Sequence, residues 1–245
     1  DIGSSELDAD RQGEIMHRHT LAVYELQGRL LKEFPYLLLE NCSSGGARFD
    51  PGMLYFSPQI WCSDDTDAIE RLAIQESTAL MYPLSVIGAH VSDCPNHTVG
   101  RVTPFKTRGI IAMAGTFGYE LDVTKIPEED RNMIASQVET YKKYCPIIQS
   151  GDYYRIASYQ SNHYFDCYEI VSKDKKEAIL VFVQVIAQPN MHSIRVKLKG
   201  LDNEAKYKIN GTVYDADALM NGGFIIKRPW GDFQAELFHI EKIND

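Results

Sequence analysis

The chain has 245 residues, a hydrophobic fraction of 44% and a formal net charge of -9 at pH 7. This length suits one large domain or two ordinary ones. The negative charge argues against nucleic acid or an anionic membrane as a partner, and no segment approaches the roughly 20 apolar residues of a membrane-spanning helix. The five cysteines form no Cys-x-x-Cys pair, which favours free thiols in a reducing cytoplasm over a zinc cluster.

The first residues of the chain include no initiator Met. They also lack the basic start and the apolar core of a signal peptide. We therefore expect an internal or C-terminal piece of a longer protein.

Helical and strand patterns alternate over the first 150 residues. An apolar stripe near the 3.6-residue period predicts a helix over residues 11–34, which Pro35 ends. The continuous apolar run of residues 36–40 is typical of a strand buried on both faces. The same reasoning predicts further strands at residues 59–62, 84–89 and 116–122, and helices at residues 68–81, 104–114 and 127–144. Such alternation favours a parallel sheet with helices outside it.

The helical period disappears from Gly151 onward. Several segments alternate apolar with polar residues, as in a half-exposed antiparallel sheet, and Asn210-Gly211 predicts a hairpin turn. Strands are expected at residues 153–157, 164–171, 178–186, 194–199, 207–209, 223–226 and 234–240. We therefore predict an α/β domain over residues 1–150 and an antiparallel β-sandwich over residues 151–245.

Three carboxylates, Asp64, Asp65 and Asp67, follow the predicted strand at residues 59–62. Sites in parallel α/β proteins are built at this end of the strands. Mutual repulsion would be relieved if one acid stayed protonated, as a general acid requires. The alternative is that Asp65 and Asp67 cap the next helix. A Ca²⁺ or Mg²⁺ site is a third interpretation, although no EF-hand spacing is present.

Other candidate groups lie near these acids. Trp61 could stack on a sugar ring or belong to the core. Cys42 precedes Gly45 and Gly46, and glycines allow a ligand to approach the backbone closely. Cys42 could be a nucleophile with His90 as its base, or a small buried group.

The polar loop at residues 93–100 follows the strand that leads to His90. His97 in this loop and Arg101 next to it could shape a site or could simply be solvated. Solvation is the more ordinary expectation for such loop residues.

Three segments resemble the α-galactosidases of glycoside hydrolase family 36. They are Leu39-Glu-Asn-Cys-Ser-Ser-Gly-Gly-Ala-Arg-Phe-Asp50, Pro58-Gln-Ile-Trp-Cys-Ser-Asp-Asp-Thr-Asp-Ala-Ile-Glu-Arg71, and Gly88-Ala-His-Val-Ser92 with Pro95-Asn-His97. The resemblance extends over nearly the whole chain. It implies the second half of a (β/α)8 TIM barrel followed by an antiparallel β-sandwich domain. It also implies hydrolysis of terminal α-1,6-linked galactose, as in melibiose and raffinose, with retention of configuration and without a metal or organic cofactor.

The resemblance also implies roles for single residues. Asp64 corresponds to the catalytic acid/base, Cys42 and Gly45 to groups that face the galactose, and Trp61 to a residue that lines the same pocket. The nucleophile of the family is an aspartate in a Lys-Trp-Asp motif, which this sequence lacks, so we expect it upstream of Asp1. A retaining glycosidase needs two carboxyl groups about 5–5.5 Å apart, and the chain alone is therefore expected to be inactive.

Alternative functions are a galactosyl transferase of the raffinose or stachyose synthase type and a non-catalytic carbohydrate-binding fragment. The expected partners are a galacto-oligosaccharide substrate, the missing N-terminal part of the same enzyme, and further copies in a homo-tetramer. Neither nucleic acid nor a membrane is expected, and the expected location is the cytoplasm.

Overall fold

The computed structural model describes residues 3–42, 44–45 and 48–243. Its helices are α1 (Glu14–Glu33), α2 (Pro51–Phe56), α3 (Ala68–Ala79), α4 (Phe105–Ala112), α5 (Glu128–Ser150) and α6 (Tyr159–Asn162). Its strands are β1 (Glu40–Asn41), β2 (Gln59–Trp61), β3 (Ile87–Ser92), β4 (Thr116–Glu120), β5 (Asp152–Ala157), β6 (Phe165–Val171), β7 (Glu177–Gln184), β8 (Ser193–Val196), β9 (Lys206–Ile209), β10 (Thr212–Asp215), β11 (Phe224–Lys227) and β12 (Gln234–Lys242). None of the described helices has the length and apolar character needed to cross a membrane.

The first four strands form a parallel sheet in the order β1-β2-β3-β4. One face of this sheet is apolar and packs under the helices, because Ile60, Ile87, Ala89 and Val91 have no exposed surface. The other face carries polar and aromatic side chains that alternate with these residues along the strands. The predicted alternation of parallel strands and covering helices is therefore confirmed.

The apolar run at residues 36–40 does not form the doubly buried strand that its composition predicts. Tyr36 is 98% exposed and Leu38 is 84% exposed, and only the two residues of β1 pair as a strand. Among the described strands, β1 pairs with β2 alone. The apolar run therefore has no neighbour on its other side in the described part of the chain, and the prediction of burial is wrong.

Two element boundaries also differ from the sequence pattern. His90 lies within β3 rather than beyond its end. Helix α5 continues through Pro146 to Ser150, although a proline inside a helix removes one backbone hydrogen bond. Burial of Ile147 and Ile148 in the core offsets this cost.

The second half of the chain forms two facing antiparallel sheets. The larger has the order β10-β9-β12-β7-β6-β5 and the smaller pairs β11 with β8. Side chains of both sheets, including Leu180 and Phe182 of β7 and Val196 of β8, share one buried cluster. The hairpin predicted at Asn210-Gly211 joins β9 to β10, with φ of 50° and 81° at the two turn residues.

A second buried cluster joins the parallel and antiparallel sheets. It combines Ile69 and Leu72 of α3 with Tyr168 of β6 and Val181 of β7. Lys106 also pairs with Glu236 at 2.9 Å across this boundary. The division into domains at residues 150 and 151 stays a prediction, and apolar packing is continuous across it.

Candidate active site

The loops that follow β1 and β2 meet at the carboxyl end of the parallel sheet. Cys42 Sγ donates a hydrogen bond to Asp64 Oδ1 at 3.6 Å. A Cβ atom placed on Gly45 would lie 3.8 Å from Asp64 N and 3.9 Å from Asp64 Oδ2. Three of the residues predicted to form a site are therefore neighbours, although 22 positions separate Cys42 from Asp64.

Backbone conformation explains the glycine at position 45 better than lack of space does. Gly45 has φ of 66°, in the left-handed region that residues with a Cβ rarely adopt. Ser44 before it has φ of 59°. A Cβ at position 45 would meet its neighbours at ordinary contact distance. The neighbouring Gly46, considered with it in the sequence, lies outside the described residues.

The three carboxylates of the loop have different partners. Asp67 is buried and caps α3, accepting hydrogen bonds from Ile69 N at 3.0 Å and Glu70 N at 3.1 Å. Asp65 Oδ1 accepts from Asp67 N at 2.9 Å, so it turns the loop and does not cap the helix. Asp64 is exposed. The predicted capping role is therefore right for Asp67 and wrong for Asp65, and Asp64 is the acid that faces outward.

The loop after β3 braces the acid loop. Arg101 forms an ion pair with Asp67 and a second one with Glu70 at 3.3 Å. Asn96 is buried and donates to Thr66 Oγ1 at 3.2 Å. The expectation that Arg101 is simply solvated is therefore wrong. Its partner acids are the N-cap and a first-turn residue of α3, 34 and 31 positions earlier in the chain, so local spacing does not reveal them.

Trp61 lies below Asp64 on β2, where two other side chains contact its ring. The His90 ring stacks on it with centroids 4.6 Å apart and an interplanar angle of 19°. Arg71 Cζ lies 4.1 Å from the Trp61 ring centroid. Trp61 is half-buried, and these contacts give it a packing role whether or not it also touches a ligand.

The pairing of Cys42 with His90 as nucleophile and base is not formed. His90 Nδ1 lies 2.9 Å from Glu120 Oε2, whereas Cys42 contacts Asp64. On the same face of the sheet, Gln59 donates to Glu40 at 2.8 Å. Within the described ranges, no group of three or more His, Cys, Asp or Glu residues is placed to hold a metal ion.

Sequence reasoning missed Arg71, which is buried on α3 and is 3% exposed. It donates to the Ser63 carbonyl at 3.1 Å, to the Gly88 carbonyl at 2.8 Å and to Cys62 Sγ at 3.5 Å. The sequence signal for its burial is that Arg71 stands between Ile69 and Leu72, on the apolar face of the predicted helix.

Comparison with protein families agrees with this architecture. The Melibiase family model matches residues 1–151, and the model of the glycosyl hydrolase family 36 C-terminal domain matches residues 165–240. The first match alone covers more than half of the chain. The chain belongs to glycoside hydrolase family 36.

Named relatives share this assignment. α-Galactosidase AgaA of Geobacillus stearothermophilus is 44% identical over 245 residues, which cover 99% of this chain and 33% of that protein. α-Galactosidase Mel36A of Lactobacillus acidophilus is 45% identical over 246 residues, which cover 100% of this chain and 33% of that protein. The chain thus spans about a third of the length of these curated relatives.

Solved structures confirm the fold class. A variant of AgaA in complex with raffinose matches with a TM-score of 0.93 and 43% identity, over 99% of this chain and 34% of that one. The α-galactosidase of Lactobacillus brevis matches with a TM-score of 0.93 and 41% identity, over 100% of this chain and 34% of that one. The parallel and antiparallel sheets therefore correspond to the second half of a (β/α)8 barrel and its C-terminal β domain.

Proposed function

We propose that this chain carries the acid/base residue of a retaining α-galactosidase that hydrolyses terminal α-1,6-linked galactose in oligosaccharides of the melibiose and raffinose type. The position of Asp64 is the observation that carries the proposal. Its exposed carboxylate lies at the carboxyl end of the parallel sheet beside Cys42 and Gly45. Helix capping and the ion pair with Arg101 occupy Asp67 instead.

Asp64 acts twice in the proposed mechanism. In the first step a second carboxylate attacks the anomeric carbon, while Asp64 donates its proton to the departing glycosidic oxygen. In the second step the Asp64 carboxylate removes a proton from water, whose oxygen attacks the anomeric carbon and releases the second carboxylate. That second carboxylate is the nucleophile that we place upstream of this chain.

Cys42 and Gly45 are proposed to contact the galactose from the loop after β1. The thiol already donates to Asp64 Oδ1, so it also holds one carboxylate oxygen and leaves the other to face the sugar. Trp61 is proposed to border the same pocket from below. Its contacts with His90 and Arg71 keep its ring in place.

The named relatives support the substrate class. AgaA and Mel36A are both called α-galactosidases, and a variant of AgaA has been crystallised in complex with raffinose. Their names favour hydrolysis over galactosyl transfer for this chain. A tetrameric assembly and a cytoplasmic location stay predictions. Sedimentation of the full-length enzyme tests the tetrameric assembly.

Changing Asp64→Asn in the full-length enzyme tests the proposed role. We expect kcat/KM for raffinose to fall by about 10²–10⁴-fold, the usual contribution of a general acid. The fall should be far smaller for 2,4-dinitrophenyl α-galactoside, because dinitrophenolate leaves without a proton. External azide should raise turnover of this aryl substrate by replacing water in the second step.

Asp65→Asn is the matched control for this experiment. The asparagine keeps an oxygen that can accept from Asp67 N, so this variant should stay within about tenfold of the parent enzyme on both substrates. An Asp64→Asn enzyme that loses the same factor on raffinose and on the aryl substrate, without azide rescue, would contradict the proposed role.

The isolated 245 residues should not turn over p-nitrophenyl α-galactoside. The sequence lacks the Lys-Trp-Asp motif, and a retaining mechanism needs a second carboxylate next to Asp64. Release of p-nitrophenol is the measurement, with the full-length enzyme as the control. Robust turnover by the isolated chain would show that both carboxylates lie within it.

A further inference from the structure

Arg71 is a buried cation that is held mainly by uncharged acceptors. It is 3% exposed and donates to two backbone carbonyls and one sulfur. In the described part of the chain it forms no ion pair within 4.0 Å. Burial lowers the pKa of Arg71 below its ordinary value, and the nearby Cys62 and Asp65 oppose this effect. Placing a guanidinium in such an environment is costly, so the contacts that it makes there need an explanation.

The two carbonyls that Arg71 binds belong to different strands. The Gly88 carbonyl is part of β3, and the Ser63 carbonyl follows β2. The Ser63 carbonyl shares a planar peptide group with the amide nitrogen of Asp64. By donating to this carbonyl at 3.1 Å, Arg71 fixes the orientation of the peptide group that joins Ser63 to Asp64.

The ring of Trp61 restricts the guanidinium further. Arg71 Cζ lies 4.1 Å from the centroid of that ring, and the ring also stacks on His90. Gly88 gives this ring its space, because a Cβ there would lie 3.1 Å from Trp61 Cε3. The flat guanidinium therefore contacts a flat ring and binds two carbonyls at once. A lysine ammonium lacks the planar fork that this arrangement uses.

We propose that Arg71 is a positioning residue, which fixes the peptide between Ser63 and Asp64 and thereby aims the Asp64 carboxylate at the glycosidic oxygen. This inference rests on the proposed function. Arg71 does not touch the substrate, and it acts through the backbone of the acid loop. Small errors in the placement of a catalytic group are known to cost up to about 10²-fold in rate.

Arg108 provides a matched control. It is also buried, at 7% exposure, and donates to the carbonyls of Thr103 and Ser92. Its Cζ lies 5.0 Å from the Phe105 ring centroid. Arg108 thus resembles Arg71 in its burial, its carbonyl acceptors and its aromatic contact, although it also forms an ion pair with Asp130 at 3.6 Å. It holds the loop after β3 and not the peptide of Asp64. An arginine whose role is only structural should respond to substitution as Arg108 does.

The test compares Arg71→Lys, Arg108→Lys and Asp64→Asn in the full-length enzyme. Each is assayed on raffinose and on 2,4-dinitrophenyl α-galactoside, and the readout is the ratio of the two kcat/KM values. Raffinose needs the proton from Asp64, whereas the dinitrophenyl substrate does not. We expect Arg71→Lys to lower the ratio of kcat/KM for raffinose to kcat/KM for the dinitrophenyl substrate by roughly 10- to 100-fold. Arg108→Lys should leave this ratio unchanged.

The outcomes distinguish a failure of the proposed role of Arg71 from a failure of the proposed function. If Asp64→Asn lowers the ratio and Arg71→Lys does not, or if both arginine variants lower it equally, Arg71 is not a positioning residue and the proposed function stands. If Asp64→Asn leaves the ratio unchanged, the proposed function fails and this inference fails with it. Should Arg71→Lys not fold, Arg71→Gln carries the same test, because its shorter side chain also lacks the planar fork that binds both carbonyls.

Discussion

At the scale of single residues, the acid loop assigns a different task to each carboxylate. Asp67 Oδ1 accepts hydrogen bonds from the first turn of α3 and from Arg101, and Asp65 closes the turn before it. Asp64 is next to Cys42 and is exposed. Neighbouring identical side chains can therefore serve unrelated purposes, because backbone direction decides which atoms each one meets.

Gly45→Ala should weaken the site through its backbone. A left-handed φ of 66° costs a residue with a Cβ about 1–2 kcal/mol. Among the described residues beyond its chain neighbours, the atom nearest to such a methyl group is Asp64 N at 3.8 Å, an ordinary contact distance. We expect the free energy of unfolding, measured with denaturant, to fall by about 1–2 kcal/mol. The KM for raffinose of the full-length enzyme should rise.

Gly211→Ala is the control for this substitution. Gly211 has φ of 81° and lies in the hairpin between β9 and β10. Apart from its chain neighbours, no described residue lies within 4 Å of an added Cβ. It should show a similar loss of stability with an unchanged KM. An equal change in KM for both variants would mean that Gly45 has no special relation to the substrate.

At the scale of elements, α3 connects the site with the core. Its first turn is held by Asp67, its buried face includes Ile69 and Leu72, and its Arg71 reaches back to the acid loop. One turn further, Glu76 pairs with Arg155 of β5 at 2.6 Å. The helix thus joins the carboxyl end of the parallel sheet to the antiparallel sheet.

Asp67→Ala should destabilise the protein by about 1–2 kcal/mol, because the helix loses its cap. Arg101 loses its buried partner in the same variant. Glu70→Ala is the control, since it removes the other, exposed partner of Arg101 and should cost about 0–1 kcal/mol. Denaturant unfolding measures both. Equal losses would indicate that the cap contributes little.

Periodicity and local turn chemistry predicted most helices and strands correctly. The hairpin at Asn210-Gly211 and the cap at Asp67 depend on residues close in sequence, so their signals are local. Arg71 and Arg101 could not be placed in this way, because their partners come from other elements. The exposed run at residues 36–40 shows the same limit, since burial depends on which strand lies beside it.

At the scale of the whole molecule, buried acids of β6 make stability depend on pH. Burial raises the pKa of Asp166 to about 7 and that of Glu169 to about 8. Asp166 accepts one hydrogen bond from Tyr159 N at 3.1 Å, and Glu169 accepts one from Lys199 N at 2.7 Å. Both acids carry a free-energy cost when they ionise inside the fold.

Asp166→Asn should flatten this pH dependence. The folded pKa of Asp166 is raised above its unfolded value of about 3.9, so its favourable contribution is complete below pH 4 and is lost as the pH rises through about 7. The parent protein should therefore lose more stability than the variant between pH 5 and pH 8. The asparagine oxygen can still accept from Tyr159 N.

Thermal or denaturant unfolding at several pH values measures this effect. Asp152→Asn, which changes an exposed carboxylate of β5 paired with Lys173, is the control and should keep the slope of the parent protein. An Asp166→Asn variant whose stability falls as steeply as that of the parent between pH 5 and pH 8 would contradict the assignment.

A structure of the full-length enzyme with its nucleophile removed and melibiose bound tests the role of Asp64 most directly. We expect one oxygen of the Asp64 carboxylate at hydrogen-bond distance, about 2.6–3.2 Å, from the oxygen that links the two sugars. A complex in which Asp64 points away from that oxygen, with another acidic group in its place, would show that Asp64 is not the proton donor.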